Sequence, residues 1–224
     1  SFAARLEADD DRAAFDVLDV RDDRAFEAGH VARSGHVPVA ELRERRGELP
    51  PRHRALVVVA DAPGDARTAA ASLAEGGWRS VAWLDAPLAA IPGGHGDTAA
   101  ARPLWHPSPF LESVLAELPR GRALDLAAGV GREAAFLARH GFTVDAWDHD
   151  AEALRRAEVL ASNSGVRVAT RRVDLERRQV EIPERAYEVV MVFRFLHRTL
   201  FPAIERAVVP GGCVEYETFR RGQE

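Results

Sequence analysis

The sequence predicts a two-domain α/β protein in which each domain is built around a parallel sheet. Short apolar runs alternate with helix-like stretches over most of the 224 residues, and this alternation is typical of parallel α/β folds. The length suits two domains of about 100 residues each. Residues 93–104 are rich in Pro, Gly and Ala without periodicity, as in an interdomain linker. We therefore predict domains at residues 1–92 and 105–224.

Composition narrows the classes of function. The net charge of -5 offers no basic surface for nucleic acid, so no nucleic-acid partner is expected. No apolar run approaches the roughly 20 residues of a membrane helix, and no signal peptide is visible. We therefore expect a cytoplasmic protein without a membrane partner. A single cysteine, Cys213, excludes an internal disulfide and a cysteine-based metal cluster, and no metal is expected.

The first domain is predicted to contain three strands and three helices. The strands are predicted at residues 16–20, 56–60 and 81–84, and the helices at residues 23–27, 40–46 and 67–75. The run 56–60 is entirely apolar, which indicates a strand buried on both faces of a parallel sheet. His30 and His36 could form a metal-binding pair, but a supporting or surface role is the more common one for such histidines.

The second domain is predicted to contain five strands with helices between them. The strands are predicted at residues 123–126, 142–147, 166–173, 187–193 and 213–217. Helices are expected from Ser108-Pro109, a favourable N-cap and first-turn pair, at residues 132–139, around Leu154 to Leu160, and at residues 200–208.

Acidic residues follow three of these strands. Asp125 stands at the end of the first strand, Asp148 at the end of the second and Asp174 at the end of the third. Ligands of open parallel sheets bind outside the carboxyl ends of the strands, so these carboxylates indicate a ligand site. Each aspartate could instead cap a local turn or helix.

The turn after the first strand reads Asp125-x-Ala127-x-Gly129-x-Gly131. Glycines allow positive φ and a close approach of backbone N–H groups to a ligand. The turn lacks the full Gly-x-Gly-x-x-Gly of dinucleotide sites, and Glu133 behind it disfavours phosphate. A ligand that carries a cation or hydrogen-bond donors fits these residues better.

Residues 18–31, with an acidic-Arg strand end followed by Phe-Glu-Ala-Gly-His, resemble the opening signature of rhodanese-like domains. Residues 77–84 are similar to the closing segment of that family, and the resemblance covers about residues 12–92. It implies that the strand at 56–60 leads to the position of a nucleophilic cysteine, where this chain has Ala60-Asp61. Without a thiol no persulfide can form, so we expect this domain to be inactive as a sulfurtransferase.

The second domain resembles the class I S-adenosylmethionine-dependent methyltransferases. Its turn matches their glycine-rich first motif, with Ala127 in place of one glycine, and Pro210-Gly-Gly matches a late signature. Residues 192–198 and 215–219 are similar to small bacterial enzymes of the tellurite-resistance or thiopurine type. The resemblance implies S-adenosyl-L-methionine as cofactor and the following binding residues: Asp125, Ala127, Gly129, Gly131, Asp148, His149, Asp174, Leu175 and Phe193. The catalytic residues are unknown, with Arg194 and His197 as candidates.

The resemblance predicts methyl transfer to a small-molecule acceptor. The alternative is a protein that binds the cofactor without turnover and acts as a scaffold or sensor. Methyltransferases of this class have two strands beyond the fifth, whereas this sequence ends seven residues after Glu217. The sheet is therefore expected to stop at strand 5, with an exposed edge. Either a partner chain covers that edge, as a second copy would in a homodimer, or the sequence is a fragment of a longer chain.

Overall fold

A computed structural model describes residues 15–84, 88, 101–177 and 180–218. It divides into two compact units, Ser1–Trp105 and His106–Glu224. Most of the predicted linker lies outside the described residues, and the domain boundaries of the sequence stay a prediction. None of the described helices is both long enough and apolar enough to cross a membrane.

The first unit is a four-stranded parallel sheet with helices, which confirms the predicted α/β class, but only three of its four strands were predicted and the two-residue strand Gly35–His36 was missed. Its elements are β1 (Phe15–Asp19), α1 (Asp23–Glu27), β2 (Gly35–His36), β3 (Ala55–Val59), α2 (Pro63–Glu75) and β4 (Val81–Trp83). The strand order is β2-β1-β3-β4, and every pairing is parallel. Apolar side chains of β1, β3 and α2 form the core of this unit.

Residues just before the boundary between the units pack on the first unit. The Arg102 N–H donates to the Ser34 carbonyl at 2.9 Å. The Leu104 side chain is buried in the core of the first unit. It lies so close to Gly35 that a Cβ there would overlap it. This part of the predicted linker is therefore anchored by a leucine that only a glycine can accommodate.

Two helix predictions for the first unit differ from the structure. The expected helix at 40–46 is wrong, because two 3-10 turns, Val39–Glu41 and Arg46–Glu48, take its place. The Arg45 guanidinium holds the bend between them through Glu41 and Glu48. Helix α2 starts four residues earlier than expected. Its first residue is Pro63, whose fixed φ and missing N–H suit a first helical turn.

The second unit is a five-stranded parallel sheet. Its elements are α3 (Pro109–Val114), β5 (Arg122–Leu126), α4 (Arg132–Arg139), β6 (Thr143–Asp148), α5 (Ala151–Asn163), β7 (Ala169–Arg172), β8 (Tyr187–Phe193), α6 (Phe201–Ala207) and β9 (Val208–Glu217). The strand order β7-β6-β5-β8-β9 is that of a Rossmann-like sheet and confirms the parallel α/β fold predicted for the second domain. The order reverses between β5 and β8, and ligand crevices of such sheets open at that point.

Two strands of this sheet differ in length from the prediction. The third strand is only four residues long, because the alternation before Ala169 continues outside the ladder. The fifth begins at Val208, five residues earlier than predicted. Pro210-Gly-Gly forms an irregularity inside it, where pairing to β8 jumps from Val208 to Cys213. Positive φ at Gly211 accommodates this bulge.

The side-chain alternation of β5 determines which residues face which layer. Ala123 lies in the apolar cluster that includes Ala134 and Leu137 of α4. Leu124 and Leu126 belong to the cluster on the other face. Successive side chains of a strand point to opposite faces, so Asp125 shares the face of Ala123. Its carboxyl group is thereby directed beneath α4, at the carboxyl end of the central strand.

Candidate functional site

Two of the predicted carboxylates lie at neighbouring strand ends. Asp125 is 2% exposed and Asp148, the last residue of β6, is 7% exposed. Strands β5 and β6 are paired along this length, with Asp125 opposite Ala146. The structure therefore brings the first and second strand-end acids together at the edge where a ligand would bind.

The turn between β5 and α4 is organised around Asp148. The Gly129 N–H donates to Asp148 Oδ2 at 2.8 Å, and the Ala128 N–H donates to the Trp147 carbonyl at 3.1 Å. Asp148 Oδ1 also accepts from the Asp150 N–H at 2.9 Å. These bonds fix the turn against the end of β6.

The two glycines of the turn have different reasons to be glycine. Gly131 has φ of 72° at the start of α4, and a Cβ there would lie 2.6 Å from the Ala157 Cβ of α5. Gly131 thus permits close packing of α4 on α5. Gly129 also has positive φ, but a Cβ there would meet no described atom within 4 Å. Gly129 therefore borders open space in which a ligand can approach the backbone.

Two residues other than glycine adopt the left-handed conformation at the ends of β5 and β8. Ala127 has φ of 60° and Arg194 has φ of 58°. This conformation costs roughly 1–2 kcal/mol in a residue with a Cβ, and such strain is concentrated at functional sites. The two strands are those between which the strand order reverses. The backbone therefore leaves the sheet through a strained residue after each of these two strands, at the switch point.

The Asp125 carboxyl group is buried without full hydrogen bonding. Its Oδ2 has no hydrogen-bond partner among the described residues. Burial raises the pKa of Asp125 well above its ordinary value, and the Glu133 and Asp148 carboxylates raise this pKa further. The Arg194 guanidinium and a backbone hydrogen bond from Ala134 act in the opposite direction. A buried polar atom without a partner is costly, so this atom marks a place where a donor or cation would be favourable.

Glu133 is part of this site, although the sequence prediction did not include it. Its side chain is 5% exposed, and its Oε1 accepts a 2.6 Å hydrogen bond from Arg194 Nη2. The sequence did contain one indication that Glu133 is buried. Glu133 and Leu137 are four residues apart and therefore share a face of the helix. A glutamate on the buried face of a helix needs a partner. Arg194, predicted as a catalytic candidate, is that partner.

Of the predicted residues that follow β6 and β7, His149 and Asp174 have exposed side chains, whereas Leu175 is buried. The His149 side chain is 78% exposed, with Nδ1 3.3 Å from Asp148 Oδ1. Asp174 caps the following turn by accepting from the Glu176 N–H, and it pairs with Arg177 at 3.4 Å. Leu175 is buried in the core. An open cavity of about 680 Å³ runs along these strand ends, lined by His149, Arg171, Arg172, Val173, Asp174, Arg177, Val180 and Glu181.

The remaining predicted residues follow β8. Phe193 is the last residue of that strand and packs in the cluster beneath α4. His197 is half-buried and precedes the short turn that leads into α6. Its carbonyl accepts from the Leu200 N–H at 3.0 Å. Arg194 and His197 therefore belong to the segment that leaves the sheet at the switch point.

The corresponding loop of the first unit contains a carboxylate where the rhodanese resemblance implies a thiol. Asp61 follows β3, and its side chain is 58% exposed. The Arg21 guanidinium lies 3.8 Å from it and is anchored below by Asp19 and the Gly29 carbonyl, each at 2.8 Å. The loop is thus formed by charged side chains and contains no sulfur nucleophile.

His30 and His36 are engaged in packing within the first unit. Both rings stack on Phe26, with centroids 3.8 Å and 4.2 Å away. The Nδ1 atom of His30 bonds the Phe26 carbonyl, and the Nε2 atom of His36 bonds the Arg21 carbonyl. Across the described residues, no cluster of three or more His, Cys, Asp or Glu side chains is arranged to hold a metal ion.

Each unit contains a segment that matches a known protein family. Residues 108–212 match the family model of the tellurite resistance protein TehB. Residues 2–90 match the rhodanese-like domain. The chain is 32% identical over 129 residues to a ubiquinone biosynthesis O-methyltransferase of Klebsiella pneumoniae (strain 342), covering 54% of this chain and 53% of that enzyme. The chain thus spans about half the length of this curated relative.

Solved methyltransferase structures are also similar to about half of this chain. An S-adenosylmethionine-dependent methyltransferase from Mesorhizobium loti is 26% identical with a TM-score of 0.43, covering 49% of this chain and 52% of that protein. A methyltransferase from Geobacter sulfurreducens, solved with S-adenosyl-L-homocysteine, is 22% identical with a TM-score of 0.41. That similarity covers 47% of this chain and 44% of the other.

The raised pKa of Asp125 predicts a pH-dependent effect of its removal. The folded protein holds this proton more tightly than the unfolded chain, so ionising the carboxyl opposes folding. The penalty is absent below the ordinary pKa of 3.8 and grows as the pH rises above it. We expect Asp125→Asn to raise the thermal unfolding midpoint at pH 7 by several degrees, with a gain that shrinks toward pH 4.

Thermal unfolding followed by circular dichroism between pH 4 and 8 measures this effect. Asp174→Asn serves as control, because the side chain of Asp174 is 48% exposed, and it should bring no comparable gain. A neutral-pH midpoint for Asp125→Asn at or below that of the wild type would contradict the electrostatic description of the site.

Proposed function

We propose that the chain is an S-adenosylmethionine-dependent methyltransferase for a small-molecule acceptor. The matches of residues 108–212 to the TehB family model and of residues 2–90 to the rhodanese-like domain support this proposal. The observation that carries the proposal is the buried Asp125 carboxyl, which has an oxygen without a hydrogen-bond partner among the described residues. It lies four residues before Gly129, where a Cβ would meet no described atom within 4 Å. An unpaired buried acceptor suits a ligand with cationic groups, and S-adenosylmethionine carries an ammonium and a sulfonium. The residues present therefore fit this cofactor.

The turn and the strand ends divide the cofactor contacts between them. Asp125, Ala127, Gly129 and Gly131 would hold the methionine moiety, Asp148 and His149 the ribose, and Asp174 and Leu175 the adenine. Phe193 would border the cofactor from the end of β8. When bound, the cofactor supplies a methyl group on a positively charged sulfur, open to in-line displacement. The chain contributes positioning and the exclusion of water, which can account for much of the acceleration in such a transfer.

Arg194 and His197 differ in what they can do for the acceptor. A guanidinium keeps its charge in proteins and cannot act as a base, and that of Arg194 is bonded to Glu133. Its role is to position Glu133 and the end of β8. An imidazole can take up a proton near neutral pH, so His197 is the candidate to accept the proton of the methyl acceptor.

The rhodanese-like domain is proposed to be non-catalytic. Asp61 stands at the position that the resemblance gives to the nucleophile, and a carboxylate cannot form the persulfide on which sulfur transfer depends. The 3.8 Å contact between Arg21 and Asp61 also occupies the positive charge that an incoming thiosulfate would need.

We further propose that a second copy of the chain covers the edge of β9. In the described part of the chain this strand pairs only with β8, and an unpaired strand edge favours association. A groove of about 1000 Å³ runs beside it, lined by apolar side chains such as Phe201, Ile204, Val208 and Val214. Charges of both signs border the groove, among them the Glu184–Arg206 pair. Such a surface can complement itself about a two-fold axis.

Binding of S-adenosylmethionine by titration calorimetry tests the main proposal. The wild type should bind, whereas Gly129→Ala should weaken binding at least about tenfold, or about 1.4 kcal/mol, because its Cβ enters the space left for the ligand. Gly141→Ala is the matched control, since Gly141 also has positive φ and open space but lies after the far end of α4. Both variants carry the same backbone strain, of about 1–2 kcal/mol.

Equal binding by Gly129→Ala and the wild type, or no binding by the wild type, would refute the proposed site. Methyl transfer to a panel of small phenols, thiols and amines then separates an enzyme from a sensor. Binding without transfer to any member of the panel would favour the sensor.

The rhodanese-like domain should produce no thiocyanate from thiosulfate and cyanide, because no thiolate is available at Asp61. The colorimetric thiocyanate assay measures this directly, with a thiol-containing sulfurtransferase as positive control. Thiocyanate formation that survives Cys213→Ser would show that another nucleophile takes the place of the thiol, and would contradict the proposal.

The dimer should dissociate when charge is introduced at the β9 edge. Val214→Lys is expected to weaken self-association by at least tenfold, measured by sedimentation equilibrium, because a lysine must be desolvated at the paired edge. Phe110→Lys is the control, since Phe110 is similarly exposed but lies on α3. A monomeric wild type, or equal weakening by both variants, would exclude this interface.

A further inference from the structure

The cluster beneath α4 contains more acidic than basic groups. Asp125, Glu133 and Asp148 approach one another there, each at most 7% exposed. The charged groups that face Asp125 come from three elements: Glu133 from α4, Asp148 from β6 and Arg194 from the segment after β8. The guanidinium is the only cation among them. If all three carboxyl groups were ionised, two negative charges would remain uncompensated in a buried place, which is strongly unfavourable.

The hydrogen bonds decide which of the three groups carries the proton. Asp148 accepts from the N–H groups of Gly129 and Asp150, and such donors stabilise its charged form. Glu133 is bonded to Arg194 at 2.6 Å, which stabilises its charge likewise. Among the three, only Asp125 has a fully buried oxygen without a hydrogen-bond partner among the described residues. The proton therefore belongs on Asp125.

We infer that this cluster exchanges a proton for the charge of its ligand: Asp125 is protonated in the free protein and releases its proton to solvent when a cationic group settles beside it. This inference rests on the proposed function, because the ligand is the cofactor and the cation its ammonium or sulfonium. The O–H bond of the carboxylic acid breaks, its electron pair stays on the carboxylate, and the buffer takes up the proton. Cofactor affinity then rises with pH until Asp125 ionises in the free protein.

Glu133 and Arg194 set the extent of this exchange. The Glu133 charge holds the proton on Asp125, so Glu133→Gln should ionise Asp125 already in the free protein and reduce proton release. Arg194 opposes that effect. Arg194→Met should hold the proton on Asp125 more firmly, so proton release on binding should persist to a higher pH than in the wild type. The two partners of one ion pair should thus change the exchange in opposite directions.

Titration calorimetry of the full chain in buffers of different ionisation enthalpy counts the protons released. With S-adenosylmethionine at pH 7, roughly one proton per bound cofactor is expected for the wild type and close to none for Asp125→Asn. Glu133→Gln should release less than the wild type, and Arg194→Met should continue to release a proton at a higher pH than the wild type does. Adenosine, which has neither cation, should bind without release.

A second measurement examines the free protein without any ligand. Infrared difference spectra between low and high pH should show the carbonyl band of a protonated buried carboxyl that persists at neutral pH and disappears in Asp125→Asn. If S-adenosylmethionine binds without proton release, or if Asp125→Asn releases as much as the wild type, the inference is overturned while the proposed function stands. No binding of S-adenosylmethionine at all would refute the proposed function instead.

Discussion

The candidate site of the second unit is organised around one carboxyl group that is buried at the end of its central strand. Strand alternation directs Asp125 into the layer beneath α4, where water is excluded and its Oδ2 has no partner among the described residues. An apolar side chain at this position would pack better and cost less. Keeping a carboxyl there is destabilising for the free protein, and such a group persists where a ligand compensates it.

The elements around Asp125 determine the shape of the crevice at the end of β5. Gly131 lets α4 begin against Ala157 of α5, because no Cβ fits between them. This close packing places Glu133 over the end of β5, within reach of Arg194. The strained backbones of Ala127 and Arg194 then turn the chain away from the sheet on both sides of the switch point. Helix packing, backbone strain and a single ion pair thus shape the crevice together.

The strands and the strand-end acids could be predicted because they depend on local patterns. Apolar runs in the sequence predicted most strands of both parallel sheets. The acidic residues at the ends of β5 and β6 could also be recognised from the sequence. The role of Glu133 could not be read in the same way, since Arg194 is 61 residues distant and only the fold brings them together. The 3-10 turns near residues 39–48 depend on Arg45 contacts that outweigh helix propensity. The ten-residue length of β9 depends on a bulge that local pattern does not reveal.

Each unit has an aspartate near the carboxyl end of a central strand, Asp61 after β3 and Asp125 in β5. The surroundings of the two carboxyl groups differ, and so does the chemistry that each permits. Asp61 is 58% exposed beside Arg21, so water and a nearby cation solvate its charge, and it is chemically inert toward sulfur. Asp125 is 2% exposed among two other carboxylates, so in our proposal its charge depends on what binds. A phosphate ligand would add negative charge to that cluster, whereas an ammonium or a sulfonium would neutralise it. In the proposed function the same side chain would thus exclude sulfur transfer in one domain and select a cationic ligand in the other.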